Sequence, residues 1–182
     1  INFPLNGFTN TNLTYLDLNQ NELTVLPRGF GQLRSLAFLR LTGNEIGFFP
    51  QSFGGLSNLR QLEYKLMKHQ AFPASIFNLD QLEVLDLNLN KRSTLPPEIG
   101  QLTQLTSLTL EEGTLQTLPP EIGKLTKLET LNIAFNDFVA LPPEIETLTE
   151  LVKLEASGNA LEQLPAEIGH LIKLETVSYT HL

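Results

Sequence analysis

Leucine-proline pairs, or close variants with phenylalanine, occur at Phe3-Pro4, Leu26-Pro27, Phe49-Pro50, Phe72-Pro73, Leu95-Pro96, Leu118-Pro119, Leu141-Pro142 and Leu164-Pro165, each step being 23 residues. A period held this long without insertion or deletion leaves few folds open, because each unit must be one small supersecondary element stacked on its neighbours. Seven complete units start at Leu13, Leu36, Leu59, Leu82, Leu105, Leu128 and Leu151 and fill residues 13–173, with 12 residues before and 9 after. The period also accounts for 38 leucines among 182 residues, about twice the ordinary share.

The sixth unit is the clearest: LETLNIAFNDFVALPPEIETLTE, Leu128 to Glu150. Its alternation predicts a strand with Leu131 and Ile133 inward and Thr130, Asn132 and Ala134 outward. Asn136 falls where the chain must turn, and its amide can bond backbone groups that the bend leaves unpaired. Pro142-Pro143-Glu144-Ile145 follows. Proline suits the first turn of a helix, and an acid there complements the helix dipole. Each unit is thus expected to be a short strand, a turn, and a helical or 3-10 segment. One unit cannot bury its leucines alone, but stacked units cover each other. Their strands then pair in parallel, and the wider arm curves the stack with the strands on the concave side.

The L-x-x-L-x-I-x-x-N-x-F core and the following L-P-P-E-I arm resemble the leucine-rich repeat family in its 23-residue class. That class occurs in bacterial repeat proteins, plant intracellular Ras-group repeat proteins and animal Ras-pathway scaffolds. The resemblance covers residues 13–173. It implies an α/β solenoid, a curved horseshoe with a parallel sheet on the concave side, that serves as a scaffold for protein-protein contact.

Composition narrows the function classes. The formal net charge is -8 and the pI near 4.8, which argues against nucleic acid as a partner. No apolar run approaches the roughly 18 residues needed to span a membrane. No signal peptide opens the chain. Cysteine is absent, so disulfides, thiolate metal sites and cysteine nucleophiles are excluded. No nucleophile elbow, phosphate loop, dinucleotide fingerprint or metal motif appears. Gly54-Gly55 falls in an arm, and His69, His170 and His181 share no metal-like spacing. Glu98, Glu121, Glu144 and Glu167 recur by the period as helix-start residues, not as a convergent catalytic pair. Asn12-Leu13-Thr14 is the sole glycosylation sequon. The expectation is a non-catalytic chain without cofactor.

The outward strand positions define the binding face. Its middle column reads Asp17, Arg40, Glu63, Asp86, Thr109, Asn132, Glu155, four acids with an arginine between two of them. Tyr15 and Phe38 sit side by side, Glu111 lies on the same face, and Phe135 falls at its loop edge. Exposed aromatics favour interface centres, and an acidic field favours a basic protein or peptide segment. The competing reading is of ordinary solvated strand residues.

Departures from the repeat mark a second region. The asparagine position holds Met67 in the third unit and Gly113 in the fifth, and the buried slot two residues on holds His69 and Arg92 in the third and fourth. An arginine is almost never buried without a partner, so the ladder edge is expected to be distorted there. Lys65, Lys68, His69, Lys91 and Arg92 would form a basic patch across neighbouring units, about 5 Å apart at strand spacing. It reads either as a contact for an anionic segment or as solvated loop lysines.

Both ends continue the repeat frame, 1–12 and 174–182 being partial units of a single domain, as if a longer array had been cut. The flanks would then decide between a scaffold and the recognition segment of a larger kinase, GTPase, ligase or bacterial effector. Residues 177–182 resemble the translation of a transposase mosaic-end sequencing adapter, which would leave 176 native residues. The competing reading takes Val177 and Tyr179 as inward strand residues of an eighth unit. The lack of cysteine-stapled caps favours a cytoplasmic location, with a secreted bacterial protein as the alternative.

Overall fold

The computed structural model describes residues 12–65, 72–88 and 93–179. Met67, Lys68, His69, Asn90, Lys91 and Arg92 therefore lie outside the described residues, with the distortion and most of the basic patch expected there.

Each unit contributes one three-residue strand: β1 Tyr15–Asp17, β2 Phe38–Arg40, β3 Gln61–Glu63, β4 Val84–Asp86, β5 Ser107–Thr109, β6 Thr130–Asn132, β7 Lys153–Glu155 and β8 Thr176–Ser178. The eight form one parallel sheet in chain order. The register is constant: Tyr15 faces Phe38, which faces Gln61, and so on to Thr176 opposite Lys153. The connecting arms are 3-10 turns: η1 Phe30–Gln32, η2 Gln51–Gly55, η3 Ala74–Asn78, η4 Pro97–Gln101, η5 Pro120–Lys124, η6 Pro143–Thr147 and η7 Ala166–His170. Proline precedes η2 to η7 in extended conformation and also opens η4, η5 and η6. Proline's fixed φ suits these positions, and its missing N–H costs nothing in a first turn. Glu98, Glu121, Glu144 and Glu167 all sit in first turns, each on a different arm.

The central strand residues from Leu39 through Leu154 are fully buried, and so are Ile99, Ile122 and Ile145 of the arms. They belong to one continuous apolar cluster running the length of the stack. Full burial of such a side chain contributes roughly 1.5–3 kcal/mol, which explains why the same slots are refilled every 23 residues.

Asparagines at the turn stitch the units. The Asn136 amide donates to the carbonyls of Ile133 and Ala134 in its own unit and Leu110 in the unit before, at 3.1, 3.1 and 2.8 Å. Its oxygen accepts the N–H of Leu115, also in the unit before, at 3.1 Å. Asn159 repeats this with Ala156, Ile133 and the N–H of Phe138, and Asn44 with Leu41, Leu18 and the N–H of Leu23. All three are buried, and they satisfy backbone groups that would otherwise stay unpaired in the core.

The residue before this asparagine carries a second constraint. Gln20, Gly43, Glu112, Phe135 and Gly158, one per unit, have φ between 54° and 76°. L-residues rarely adopt such values, and glycine does so freely. A Cβ on Gly158 would stand 2.5 Å from Cδ1 of Phe135, so the glycine is also the bed on which that ring lies.

Aromatic residues replace aliphatic ones in units one to three. Phe30 stacks on Phe53 with centroids 5.9 Å apart, Phe49 meets Phe53 edge-on at 4.6 Å, and Phe49 meets Tyr64 at 4.8 Å. Tyr64 is fully buried and donates its hydroxyl to the carbonyl of Ile46 at 3.0 Å. Burial pushes its phenol up to about 12. Ala134, expected to point outward, is buried instead (5% exposed), as is Asn88 at the equivalent position (7%). Asn19, Thr42, Glu111 and Ser157 at the same position are half-buried.

Candidate functional site: the strand face

Among the described residues, the end residues of the strands point outward and are exposed or half-buried, while the central residues of β2 to β7 are buried. The nine residues expected on the outward face, Tyr15, Asp17, Phe38, Arg40, Glu63, Asp86, Glu111, Asn132 and Glu155, fall in three groups.

The first group lies on β1 to β3. Tyr15 and Phe38 are about half exposed, with ring centroids 6.4 Å apart. With Arg40, Leu39 and Gln61 they line a hollow of about 270 Å³. The Arg40 Nε stands 3.0 Å from Glu63 Oε2, and its Nη1 lies 3.8 Å from Asp17 Oδ2 and 3.4 Å from the Tyr15 hydroxyl. The pairing expected from the column is therefore present. The Glu63 carboxylate, then Tyr15, raise the Arg40 pKa further above its ordinary value. Gln61 donates to Glu63 at 2.8 Å, which fixes the far side of that carboxylate.

The second group runs across β4 to β6. Asp86 is half-buried, and burial raises its pKa. The N–H of Asn88 and the charge of Lys65 oppose this rise, while Glu63 and Glu111 add to it. Asn132 donates to Glu111 at 3.3 Å. Lys65 is the one member of the expected basic patch within the described residues, and it faces these acids. The third group is local: Glu155 pairs with Lys153 at 2.9 Å.

Three of the nine also hold the backbone. Oxygens of Asp17, Asp86 and Asn132 accept the N–H of the residue two positions on, at 2.9, 3.2 and 3.0 Å. Short polar side chains make this turn at a strand end. Their place in the middle column thus has a structural cause. Sequence reasoning missed this role. Gln61, Lys153 and Ser157 follow from the alternation as outward positions, but their bonds to Glu63, Glu155 and the Ser178 hydroxyl, the last at 2.6 Å, do not. Phe135 stands at the loop edge as expected, 56% exposed.

The opposite side carries pairs between neighbouring units: Glu146 with His170 at 2.7 Å, Glu150 with Lys173 at 2.5 Å, and Arg60 with Glu83. These are exposed and each contributes little to stability. Among the described residues, no helix is long and apolar enough to cross a membrane.

Comparison with solved structures finds the same architecture. A leucine-rich repeat protein of Leptospira interrogans is 34% identical with a TM-score of 0.69, over 90% of this chain and 48% of that one. The leucine-rich repeat ectodomain of the Arabidopsis thaliana receptor kinase GASSHO1/SCHENGEN3, solved in complex with Casparian strip integrity factor 2, is 29% identical with a TM-score of 0.71, over 98% of this chain and 25% of that one. The functional domain of InlJ from Listeria monocytogenes, which includes a cysteine ladder, is 25% identical with a TM-score of 0.73, over 90% of this chain and 34% of that one. This chain thus spans from a quarter to about half of those lengths. A comparison with curated protein sequences finds no match. The profile of the leucine-rich repeat region matches residues 8–111 and 97–182. The chain belongs to the leucine-rich repeat family.

Proposed function

We propose that the strand face binds a protein or peptide segment reversibly, with no covalent chemistry. The observation that carries this reading is the exposed aromatic pair beside a fixed charge cluster, Tyr15 and Phe38 next to Arg40, Glu63 and Asp17. A surface built on paired strands is already ordered, so binding loses little entropy on this side. The acidic excess over β4 to β6 favours a basic segment. The Arabidopsis ectodomain, solved with a bound factor, supports a binding role for such a scaffold. Replacing both Tyr15 and Phe38 by alanine should weaken a captured partner about tenfold or more without moving the unfolding midpoint. Unchanged affinity would refute the site.

The same surface serves, on a second reading, as the recognition segment of a longer enzyme or effector, such as a kinase, GTPase or ligase. The Arabidopsis ectodomain, which belongs to a membrane receptor kinase, supports this reading. The complete reading frame decides it, since a catalytic domain there would add chemistry to the binding.

A further inference from the structure

The arms pack through one column of glycines, Gly31, Gly54, Gly100 and Gly123, and Gly169 continues the column in the last arm with nothing against it. A Cβ on Gly54 would stand 2.8 Å from Cβ of Asn78 in η3, and one on Gly100 would stand 2.8 Å from the carbonyl oxygen of Glu121 in η5. Two units place a side chain in this column, Phe77 in the third and Glu146 in the sixth. Glu146 reaches out to His170. Phe77 turns in and is 3% exposed. A buried ring thus stands in η3, beside η4, where the neighbouring arms have no side chain. These two are the most weakly apposed neighbours among the described arms.

Alongside Phe77 lies a groove of about 810 Å³ on the arm side, walled by Phe48, Phe49, Phe72 and Phe77. The Phe48 residue at its lip is 83% exposed. Gln101 and Glu98 of η4 lie at its rim, and Glu98 is the one charged residue among its described lining.

We propose that this groove is a binding site, separate from the strand face, for a small hydrophobic molecule with one cationic head, an alkylammonium or arylammonium. Its volume lies within the roughly 300–1,000 Å³ of small-molecule sites, which are mostly apolar with a few placed polar groups. The Glu98 carboxylate pairs with the ammonium, and the ring faces add attraction for a cation. The net charge of -8 disfavours an anionic amphiphile at the same place.

The chain has no tryptophan, so Phe48→Trp places a single fluorophore at the lip. This chain is titrated with octylammonium, octanol and octyl sulfate. Octylammonium gives a saturable blue shift, octanol binds roughly fivefold more weakly, and octyl sulfate does not saturate. Adding Glu98→Gln brings octylammonium down to the affinity of octanol. Adding Phe77→Gly, the usual residue of the column, removes the saturable response. Calorimetry of the unsubstituted chain with octylammonium reproduces the affinity. The proposal is overturned by equal responses to octylammonium and octyl sulfate, by an unchanged octylammonium preference in the Glu98→Gln chain, or by no heat of binding in the unsubstituted chain. Should Phe77→Gly fail to fold, the Glu98→Gln titration still decides.

Discussion

Units six and seven and units one to three fill the same slots by different means. In the later pair the core is aliphatic apart from Phe138, and successive asparagines, Asn136 and Asn159, each tie one unit to the unit before. In the earlier units one such tie, Asn44, is joined by a chain of touching rings from Phe30 through Phe53 and Phe49 to Tyr64. The third unit has Met67 where the asparagine would stand. In that unit the hydroxyl of Tyr64 makes the bond back to unit two, onto the Ile46 carbonyl. In both regions a polar link crosses the buried joint. Different side chains, reaching from different columns, can supply it.

The sharpest way to break the comparison is to remove one stitch. Asn136→Ala leaves the Leu110 carbonyl and the Leu115 N–H without their partner inside the core. It should destabilise by roughly 3–4 kcal/mol. Asn21→Ala, which among the described residues loses bonds only within its own unit, should cost about 1 kcal/mol. Urea unfolding of the two variants checks the ratio, and equal losses would deny a role for the cross-unit bonds.

The aromatic region should respond to alkali where the aliphatic one does not. The Tyr64 pKa is raised to about 12 in the folded chain, against about 10 when unfolded. A raised folded value means that its contribution is complete below pH 10 and is lost as pH rises toward 12, by about 2–3 kcal/mol in all. Unfolding followed from pH 9 to 12 in Tyr64→Phe should lack this share of the decline. At neutral pH the same variant should cost about 1–2 kcal/mol for the lost bond to Ile46. An identical alkaline profile in the variant would remove Tyr64 from the account.

The smallest contrast concerns the left-handed positions. Gly158→Ala meets the Phe135 ring at 2.5 Å, whereas Gly43→Ala meets the side chain of Gln20 at 2.7 Å. A flexible amide can swing aside more readily than a ring resting on the backbone. The first should cost about 1–2 kcal/mol and the second less than about 1 kcal/mol. Adding Phe135→Ala should recover some of the first loss, and thermal melts of the three chains measure it.

The period made the strands, their parallel order and their outward columns legible before any coordinates. Equal spacing leaves one register in which every leucine is buried. The role of Asn136 was legible for a similar reason, since a short amide at an obligatory turn has backbone to satisfy. The left-handed column was hidden because three of its five described positions hold Gln20, Glu112 and Phe135 in place of glycine. Ala134 misled because alternation gives a direction and not a depth: longer or polar residues at the same position, Glu111 and Ser157, stay half-buried while the alanine methyl is covered. That Asp17, Asp86 and Asn132 hold backbone N–H groups appears only once distances are measured. The groove depends on which way Phe77 turns, and composition does not report that.

The constant register of β1 to β8 has a mechanical consequence. Every pairing between strands closes the same 23-residue interval, so no segment of the chain waits on a distant one and each added unit meets the same closure entropy. Folding can begin at any joint and travel outward as a one-dimensional zipper. Pulled from its two ends, such a chain should unravel unit by unit. Each event releases 23 residues of contour, roughly 80 Å at full extension, and the force trace would carry the repeat length as its step.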